Sequence, residues 1–398
     1  MEEFAVVNSG NFVERGPIRL GMVGGGQGAF IGGVHRMAAR LDGEFQLVAG
    51  ALSSDPTRAK LSGAELGLDP ERSYTSYAEM AKAEAARADG IEAVAIVTPN
   101  HMHYPAAKAF LDAGIHVICD KPLTSRLEDA KKLAAQAHSS GKLFVLTHNY
   151  TGYPMVRQAR EMIADGMLGD LRVVQAQYAQ DWMTEAVESK QAAWRTDPKQ
   201  SGAGGATGDI GTHAYNLARF VTGLELDVLS ADLSAFVDGR VLDDNAHIML
   251  RFKPVGDAPA ARGMLWASQV APGNENGLTL RIYGTKGGLE WAQEHPNQLW
   301  YTPFGQEKRL ISRGGPGAGA AAGRVTRIPS GHPEGYLEGF ATIYAEAARA
   351  FRALRTPGGV VPPEVVYPSV DDGVEGVAFV EACVKSSSEN AAWTALDL

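Results

Sequence analysis

Between Ile18 and about Thr147, short apolar runs alternate with longer stretches in which apolar residues recur at helical spacing. The short runs, Ile18 to Val23, Phe45 to Ala51, Ile91 to Val97, His116 to Cys119 and Leu143 to Thr147, are continuous enough to be strands covered on both faces. Between them Val34 to Leu41, Pro56 to Leu66, Ser76 to Ala88, Tyr104 to Ala113 and Leu127 to Ser139 carry the helical period, several opened by Pro, Asp or Ser. That rotation is the pattern of parallel strands joined by crossover helices, so this half reads as a doubly wound α/β nucleotide fold.

After Tyr153-Pro154 the rhythm changes. One helix is predicted from Met155 to Asp165, stopped by Gly166; Leu171 to Tyr178, Ala246 to Phe252, Met264 to Ser268 and Leu278 to Tyr283 then read as strands with no regular helices between them. Such runs favour an antiparallel sheet, one face of which can cover a site or a partner subunit. Gly314 to Gly323 is nearly all Gly, Ala and Pro and reads as a mobile surface loop. Helical period returns at Pro333 to Leu354 and Val370 to Val384. The division that follows is an N-terminal arm over 1–16, a nucleotide domain over 17–150 and a second domain over 151–398.

A chain of 398 residues, 45% of them hydrophobic, can bury two cores. Its net charge of -9, with no cluster of Lys and Arg, argues against nucleic acid as a partner. Cys119 and Cys383 sit in an apolar strand and a late helix, which suggests neither a disulfide nor a zinc site and points to the reducing cytoplasm. The first 16 residues lack the basic start and apolar core of a secretion signal, and no apolar run is long enough to make the membrane a partner.

The candidate chemistry begins at Gly24-Gly25-Gly26-Gln27-Gly28-Ala29, directly after the first strand. A strand, a glycine turn and a helix form a pyrophosphate cradle: Gly24 allows the tight turn, Gly26 admits the phosphate, and Ala29 is the small third residue unless Gly32 takes that close-packing position. Gln27 and Gly28 complete the loop. The second strand normally ends in an acid that binds the ribose and repels a 2'-phosphate, but here Ser53 and Ser54 follow it, with Arg58 and Lys60 within reach. This favours NADP, although hydroxyls also suit the plain ribose of NAD. Thr98-Pro99-Asn100 ends the third strand at the carboxyl edge, where ligands bind in open α/β folds, or is a simple turn. His101 and His103 have the spacing of a metal pair without further ligands, so no metal is expected, and His103 reads as part of the nicotinamide-side wall or as a helix-entry residue.

Asp120-Lys121-Pro122 ends the fourth strand at the same edge. An ammonium there can stabilise the alkoxide character that develops as an alcohol loses hydride. Asp209 and His213, four residues apart, share one side of a helical turn, and Ser201-Gly-Ala-Gly-Gly205 before them would let the chain approach a ligand closely. Imidazole titrates nearest neutrality, which makes His213 the candidate base, with Asp209 orienting a hydroxyl or tuning that base. A helix-capping aspartate beside a core histidine is the alternative.

In this order, the glycine loop, Thr98-Pro99-Asn100, Lys121-Pro122, Trp194-Arg195 and the Asp-x-x-x-His of 209–213 resemble the Gfo/Idh/MocA oxidoreductases, across nearly the whole chain. The resemblance implies an N-terminal Rossmann domain and a C-terminal α+β domain with a large open, mostly antiparallel sheet. Many members are dimers or tetramers through that sheet, so the resemblance implies a homodimer or homotetramer here. It further implies that Lys121 and His213 are catalytic with Asp209 beside the substrate, and that Trp194, Arg195, Asp120 and Asn149 lie near an NAD or NADP cofactor. Asp120 departs from the usual Glu, and Ser53 from the frequent acid. Tyr150, Tyr153, Trp182 and His332 are polar aromatics suited to a sugar face, or packed core residues. The function expected is NAD(P)-dependent oxidation of a secondary hydroxyl of a sugar, polyol or glycoside. The same family contains glycosidases that oxidise, eliminate, hydrate and re-reduce with recycled cofactor. A non-catalytic nucleotide sensor is a third possibility, against which the joint presence of Lys121, Asp209 and His213 argues.

Overall fold

The computed structural model describes residues 16–186, 195–355 and 358–398. Five strands, β1 (Ile18–Gly24), β2 (Phe45–Ala51), β3 (Ala93–Val97), β4 (His116–Cys119) and β5 (Phe144–Leu146), pair in parallel in the order β2-β1-β3-β4-β5. Every residue of β3 is buried, which is why its sequence runs apolar without alternation. The crossovers contain α1 (Phe30–Leu41), α2 (Pro56–Glu65), α3 (Tyr77–Ala85), α4 (His103–Asp112) and α5 (Leu127–Ser140). Local chemistry sets their ends: the Asp55 side chain caps α2 by accepting from Arg58 N at 2.7 Å, Ser76 caps α3, and Gly141 closes α5 in the left-handed region. Helix α1 begins a turn earlier than the sequence period suggested, taking in Gly32 and Gly33.

The arm expected over 1–16 lies outside the described residues apart from Gly16, and so does Trp194. After α6 (Pro154–Ala164) come β6 (Leu171–Ala179), the single turn α7 (Pro198–Ser201), and α8 (Thr212–Thr222). Then β7 (Leu226–Ser234), β8 (Asn245–Phe252), β9 (Arg262–Ser268), β10 (Gly277–Gly284), β11 (Gly287–Ala292), β12 (Gln298–Pro303) and β13 (Arg309–Ser312) complete an eight-stranded sheet ordered β13-β12-β11-β10-β6-β9-β8-β7. Only β6 and β9 pair in parallel. Its strands alternate in burial, with one face packed on α6 and α8.

The segment 314–323 is no loose loop. Gly319 N donates to Gln158 Oε1 at 2.5 Å and Ala321 N to Glu161 Oε1 at 3.1 Å on α6, while Ala322 in the single turn α9 (Ala320–Gly323) is fully buried. Its small residues serve close packing: a Cβ on Gly319 would lie 2.2 Å from Glu161 Oε2.

Two last helices bind the sheets together. In α10 (Tyr336–Arg355), Phe340, Ile343, Tyr344 and Phe351 join Ile18, Leu20, Phe45 and Val145 in the core of the first sheet. Along α11 (Val370–Ser388), Val370, Val377 and Ala378 face the first sheet's core, and Phe379, Val380 and Cys383 that of the second. Burying each large apolar side chain contributes about 1.5–3 kcal/mol, so the cleft between the sheets has firm walls.

Candidate active site

Lys121 leaves the end of β4 through a cis peptide bond to Pro122. Its Nζ donates to the Asp209 carbonyl at 2.6 Å and to Asp209 Oδ1 at 3.1 Å, while Asp209 Oδ2 accepts from Arg195 Nε and from Gln269 Nε2, both at 2.9 Å. A carboxylate from the second half of the chain thus gathers a cation from the first. Burial pushes the Asp209 carboxyl up, but Arg195 and then Lys121 outweigh it and hold it well below the usual range.

Asp209 lies on a wide π turn, Thr207–Gly211, that runs into α8 and so puts Asp209 and His213 on successive turns. Asp243 anchors this turn: Oδ1 accepts from Gly205 N at 2.6 Å, and Oδ2 from Thr207 N at 2.8 Å and Thr207 Oγ1 at 2.7 Å. The glycines expected to approach a ligand instead approach protein. A Cβ on Gly205 would lie 2.0 Å from the Asp243 carbonyl, and one on Gly202 2.8 Å from that of Ser125.

His213 is buried among rings, with Tyr150 at 4.8 Å between centroids, His148 at 5.4 Å and Tyr178 at 6.1 Å. Burial, then the charge of Lys121, keeps its pKa well below that of a free histidine, with Asp209 pulling the other way. His148 is lowered to about 3 for the same first two reasons. Tyr150 shares a 2.5 Å hydrogen bond with Tyr178, whose hydroxyl donates to Asn276 Oδ1 at 2.7 Å. Gln180 also donates to Asn276, and Trp182 Nε1 donates to Gln180 Oε1, placing the indole 5.8 Å beneath the Arg195 guanidinium.

Lys121, Asp209, His213, Arg195, Tyr150 and Trp182 therefore come together. Tyr153, 1% exposed, stacks on Tyr150 and lies against Trp291, a core position. His332 does not join them: it lies exposed on the loop before α10, its carbonyl held by Arg313. Tyr178, Gln180, Gln269 and Asn276 were missed, although each is a polar residue at or beside a strand end.

The dinucleotide cradle fits the glycine loop. Gly26 N donates to Leu52 O at 3.1 Å, and a Cβ there would lie 2.6 Å from both Leu52 O and Ser62 Oγ. Gly24 and Gly28 have φ of 79° and 74°, and the open side of Gly28 faces a cleft of about 410 Å³ lined also by Gln27, Ala29 and Arg36. Gly32 is the close-packing glycine, since a Cβ on it would meet Gly25 Cα at 2.4 Å. Toward the second sheet, Thr98 Oγ1, His148 Nδ1, Asn149 Nδ2 and His213 Nδ1 are buried without hydrogen-bond partners among the described residues. Orphaned buried groups cost about 1–3 kcal/mol each, and four of them, after β3, after β5 and on α8, suit a polar ligand.

Other expectations need correction. His103 is the first residue of α4, the helix entry that was the alternative for it; 1% exposed, it sets Nδ1 2.7 Å from Pro122 O and Nε2 2.9 Å from Thr98 O, bracing two strand ends. Pro99 begins the turn between them, and Asn100 Nδ2 reaches across to Ser201 O at 2.9 Å. Near the ribose end, Ser53 Oγ accepts from Asp55 N at 3.1 Å, and Ser54 and Arg58 are exposed. Lys60 is spent on the Pro70 and Ser73 carbonyls, at 3.3 and 2.5 Å. Asp120 Oδ1 accepts from Lys121 N and Thr147 Oγ1, both at 3.0 Å. Burial raises its pKa, but His35, Lys121 and His103 together bring it down to about 2.

Residues 18–148 match the family model described as "Oxidoreductase family, NAD-binding Rossmann fold", and residues 156–290 match the "GFO/IDH/MocA C-terminal domain". The chain is 37% identical to an uncharacterized oxidoreductase, YfiI, of Bacillus subtilis over 95% of its length and 96% of that protein. It is 27% identical to levoglucosan dehydrogenase of Pseudarthrobacter phenanthrenivorans, over 94% and 97%. Among solved structures, an oxidoreductase from Sinorhizobium meliloti superposes with a TM-score of 0.88 at 63% identity, covering 95% of this chain and 99% of that one. An inositol dehydrogenase homolog from Azotobacter vinelandii, complexed with NAD+, gives 0.92 at 38% identity, covering 96% and 97%.

Proposed function

This chain belongs to the GFO/IDH/MocA oxidoreductase family, with an NAD-binding Rossmann fold at its N-terminus, and within that family we propose that it oxidises a secondary hydroxyl of a sugar, polyol or glycoside, or reduces the matching ketone. The observation that carries this reading is the meeting of Lys121 with Asp209 at 3.1 Å across the cleft, one helical turn from His213.

The glycine loop from Gly24 to Ala29, Ser53, Thr98 and Asn149 are the residues that would hold the dinucleotide. When bound, it supplies a hydride acceptor. His213, neutral at pH 7 because its pKa is lowered, takes the hydroxyl proton. Lys121 donates to the same oxygen and stabilises its growing negative charge, held in place by Asp209. Tyr150, Tyr178, Gln180 and Asn276 offer neutral donors and acceptors to neighbouring hydroxyls, and the cations Lys121 and Arg195 are already paired with Asp209. That balance favours an uncharged polyol. Structures of relatives solved with NADH and myo-inositol, or with NADH and levoglucosan, support the same class.

With Lys60 committed elsewhere, Arg58 is the cation that the described residues leave for a 2'-phosphate at the ribose end, so we read the cofactor as NAD, with NADP tolerated through Ser53 and Ser54. For the assembly we propose a homodimer through the open face of the second sheet, where Met249 and Met264 are cross-strand neighbours and Val173 pairs with Tyr283. All four are exposed by 37% or more.

The test is a panel of inositols, anhydrosugars, aldoses and glycosides with NAD and with NADP, followed by the absorbance of the reduced cofactor. Reduction with at least one neutral polyol is expected, at higher kcat/KM with NAD. Release of aglycone from a glycoside without net reduction would move the assignment to the cofactor-recycling glycosidase. Absence of both reduced cofactor and released aglycone across the panel would refute both.

A further inference from the structure

His35, on α1, is a polar side chain in the first sheet's core that faces both the last third of the chain and the lysine turn. It is fully buried. Its Nδ1 lies 2.8 Å from the hydroxyl of Tyr344 on α10, and its Nε2 points at Asp120 Oδ1 from 3.9 Å, with no closer partner among the described residues. The ring is wedged between Phe340 at 5.1 Å and Tyr344 at 5.8 Å between centroids, so it has little freedom to turn.

The neutral ring has two tautomers, and the surroundings choose between them. If Nδ1 carried the proton, the lone pair of Nε2 would face a carboxylate oxygen. If Nε2 carries it, Tyr344 donates its O–H to Nδ1 and the Nε2–H dipole points at Asp120. Burial keeps Tyr344 a neutral phenol, with an O–H to donate. The same Oδ1 of Asp120 accepts the backbone N–H of Lys121 and the hydroxyl of Thr147, so whatever fixes this oxygen fixes the base of the lysine.

We propose that His35, held as its Nε2–H tautomer by Tyr344, is a positioning residue that orients the Asp120 carboxylate and through it the backbone of Lys121. It touches neither substrate nor cofactor. The chain of contacts runs from a helix that follows the second sheet, through a residue 309 positions earlier, to the turn bearing the catalytic ammonium. The inference rests on reading Lys121 as the substrate-facing cation.

Two measurements test it on the full chain. With 15N-labelled histidine, long-range proton–nitrogen correlation identifies the His35 tautomer, assigned by loss of its signals in H35Q. A single Nε2–H form is expected in the wild type, and its loss in Tyr344→Phe, which keeps the ring packing. In steady-state kinetics Y344F and H35N should each lose kcat by about tenfold while the dissociation constant for NAD changes by less than about twofold, and H35Q, whose amide nitrogen reaches the Nε2 position, should recover part of the loss. An Nδ1–H form in the wild type, or a lost tautomer in Y344F with kcat unchanged, overturns the proposal. The tautomer is legible without any substrate, so failure there leaves the dehydrogenase reading intact, and absence of wild-type turnover counts against that reading alone.

Discussion

Replacing Asp209 by Asn keeps the side chain's shape and removes its charge, which makes it the sharpest probe of the cleft. In the wild type the carboxylate accepts from Lys121, Arg195 and Gln269, with Lys121 and Asp209 side chains 14% and 15% exposed. An amide offers one oxygen to these three donors and turns an N–H toward the rest. Breaking a buried ion pair from one side costs about 3–5 kcal/mol, and the partial exposure of Arg195 argues for the lower end, about 3 kcal/mol. At about 2–4 °C per kcal/mol for a domain of this size, the melting temperature should fall by roughly 6–12 °C. The carboxyl's folded pKa is depressed, so its stabilisation is complete above the unfolded value of 3.8 and is lost only as pH falls through the lower folded value. The gap between wild type and D209N should therefore be constant from pH 7 to 5 and shrink only below about 4. Loss of the lysine's anchor should also lower kcat/KM by about a hundredfold or more. A melting temperature within about 2 °C of wild type, or a gap that already closes between pH 7 and 5, would show that the three donors do not lean on this carboxylate.

Other outcomes follow from single contacts. Because His213 is depressed by burial and by Lys121, the acid limb of kcat/KM should lie below 6.5; removing the ammonium in Lys121→Met should raise the His213 pKa by at least about half a unit in an NMR titration, and a fall would mean that the two charges do not sense one another. Gly32→Ala puts a Cβ 2.4 Å from Gly25 Cα, so the glycine loop should shift, costing about 1–3 kcal/mol and weakening NAD at least about tenfold by calorimetry; wild-type affinity would refute the cradle. Asp243→Ala orphans the Gly205 and Thr207 donors and should lower stability by about 2–4 kcal/mol and kcat more than KM, since the turn bearing Asp209 loosens; unchanged kcat would detach that anchor from the site. Met249→Asp with Met264→Asp should turn a dimer into a monomer in light scattering, and a monomeric wild type would end the proposed assembly.

What the sequence could disclose depends on how local each cause is. Strands β1 to β5 were readable because burial on both faces leaves a continuous apolar run, whereas β13 has four residues, three of them exposed, and carries no such mark. Lys121, Asp209 and His213 stood out because an ammonium, a carboxylate and an imidazole at a strand end and a helix start form, as an ordered set, a pattern that capping or packing of any one of them does not require. Asp243 was invisible, since its donors lie 36 and 38 residues away and nothing in Leu242-Asp243-Asp244-Asn245 says which acid turns inward. Gly314–Gly323 was misread for a related reason: small residues signal either freedom or close contact, and the answer lay in what faced them, Gln158 and Glu161. The spacing of His101 and His103 invited a shared role, yet one is exposed and the other braces Thr98 and Pro122. The residues proposed to react are marked locally, and those proposed to aim them are marked only through long-range contact. The bonds of Asp243 to Thr207 and of Tyr344 to His35 are both of the second kind, which is why the aim of this site, more than its chemistry, needed coordinates.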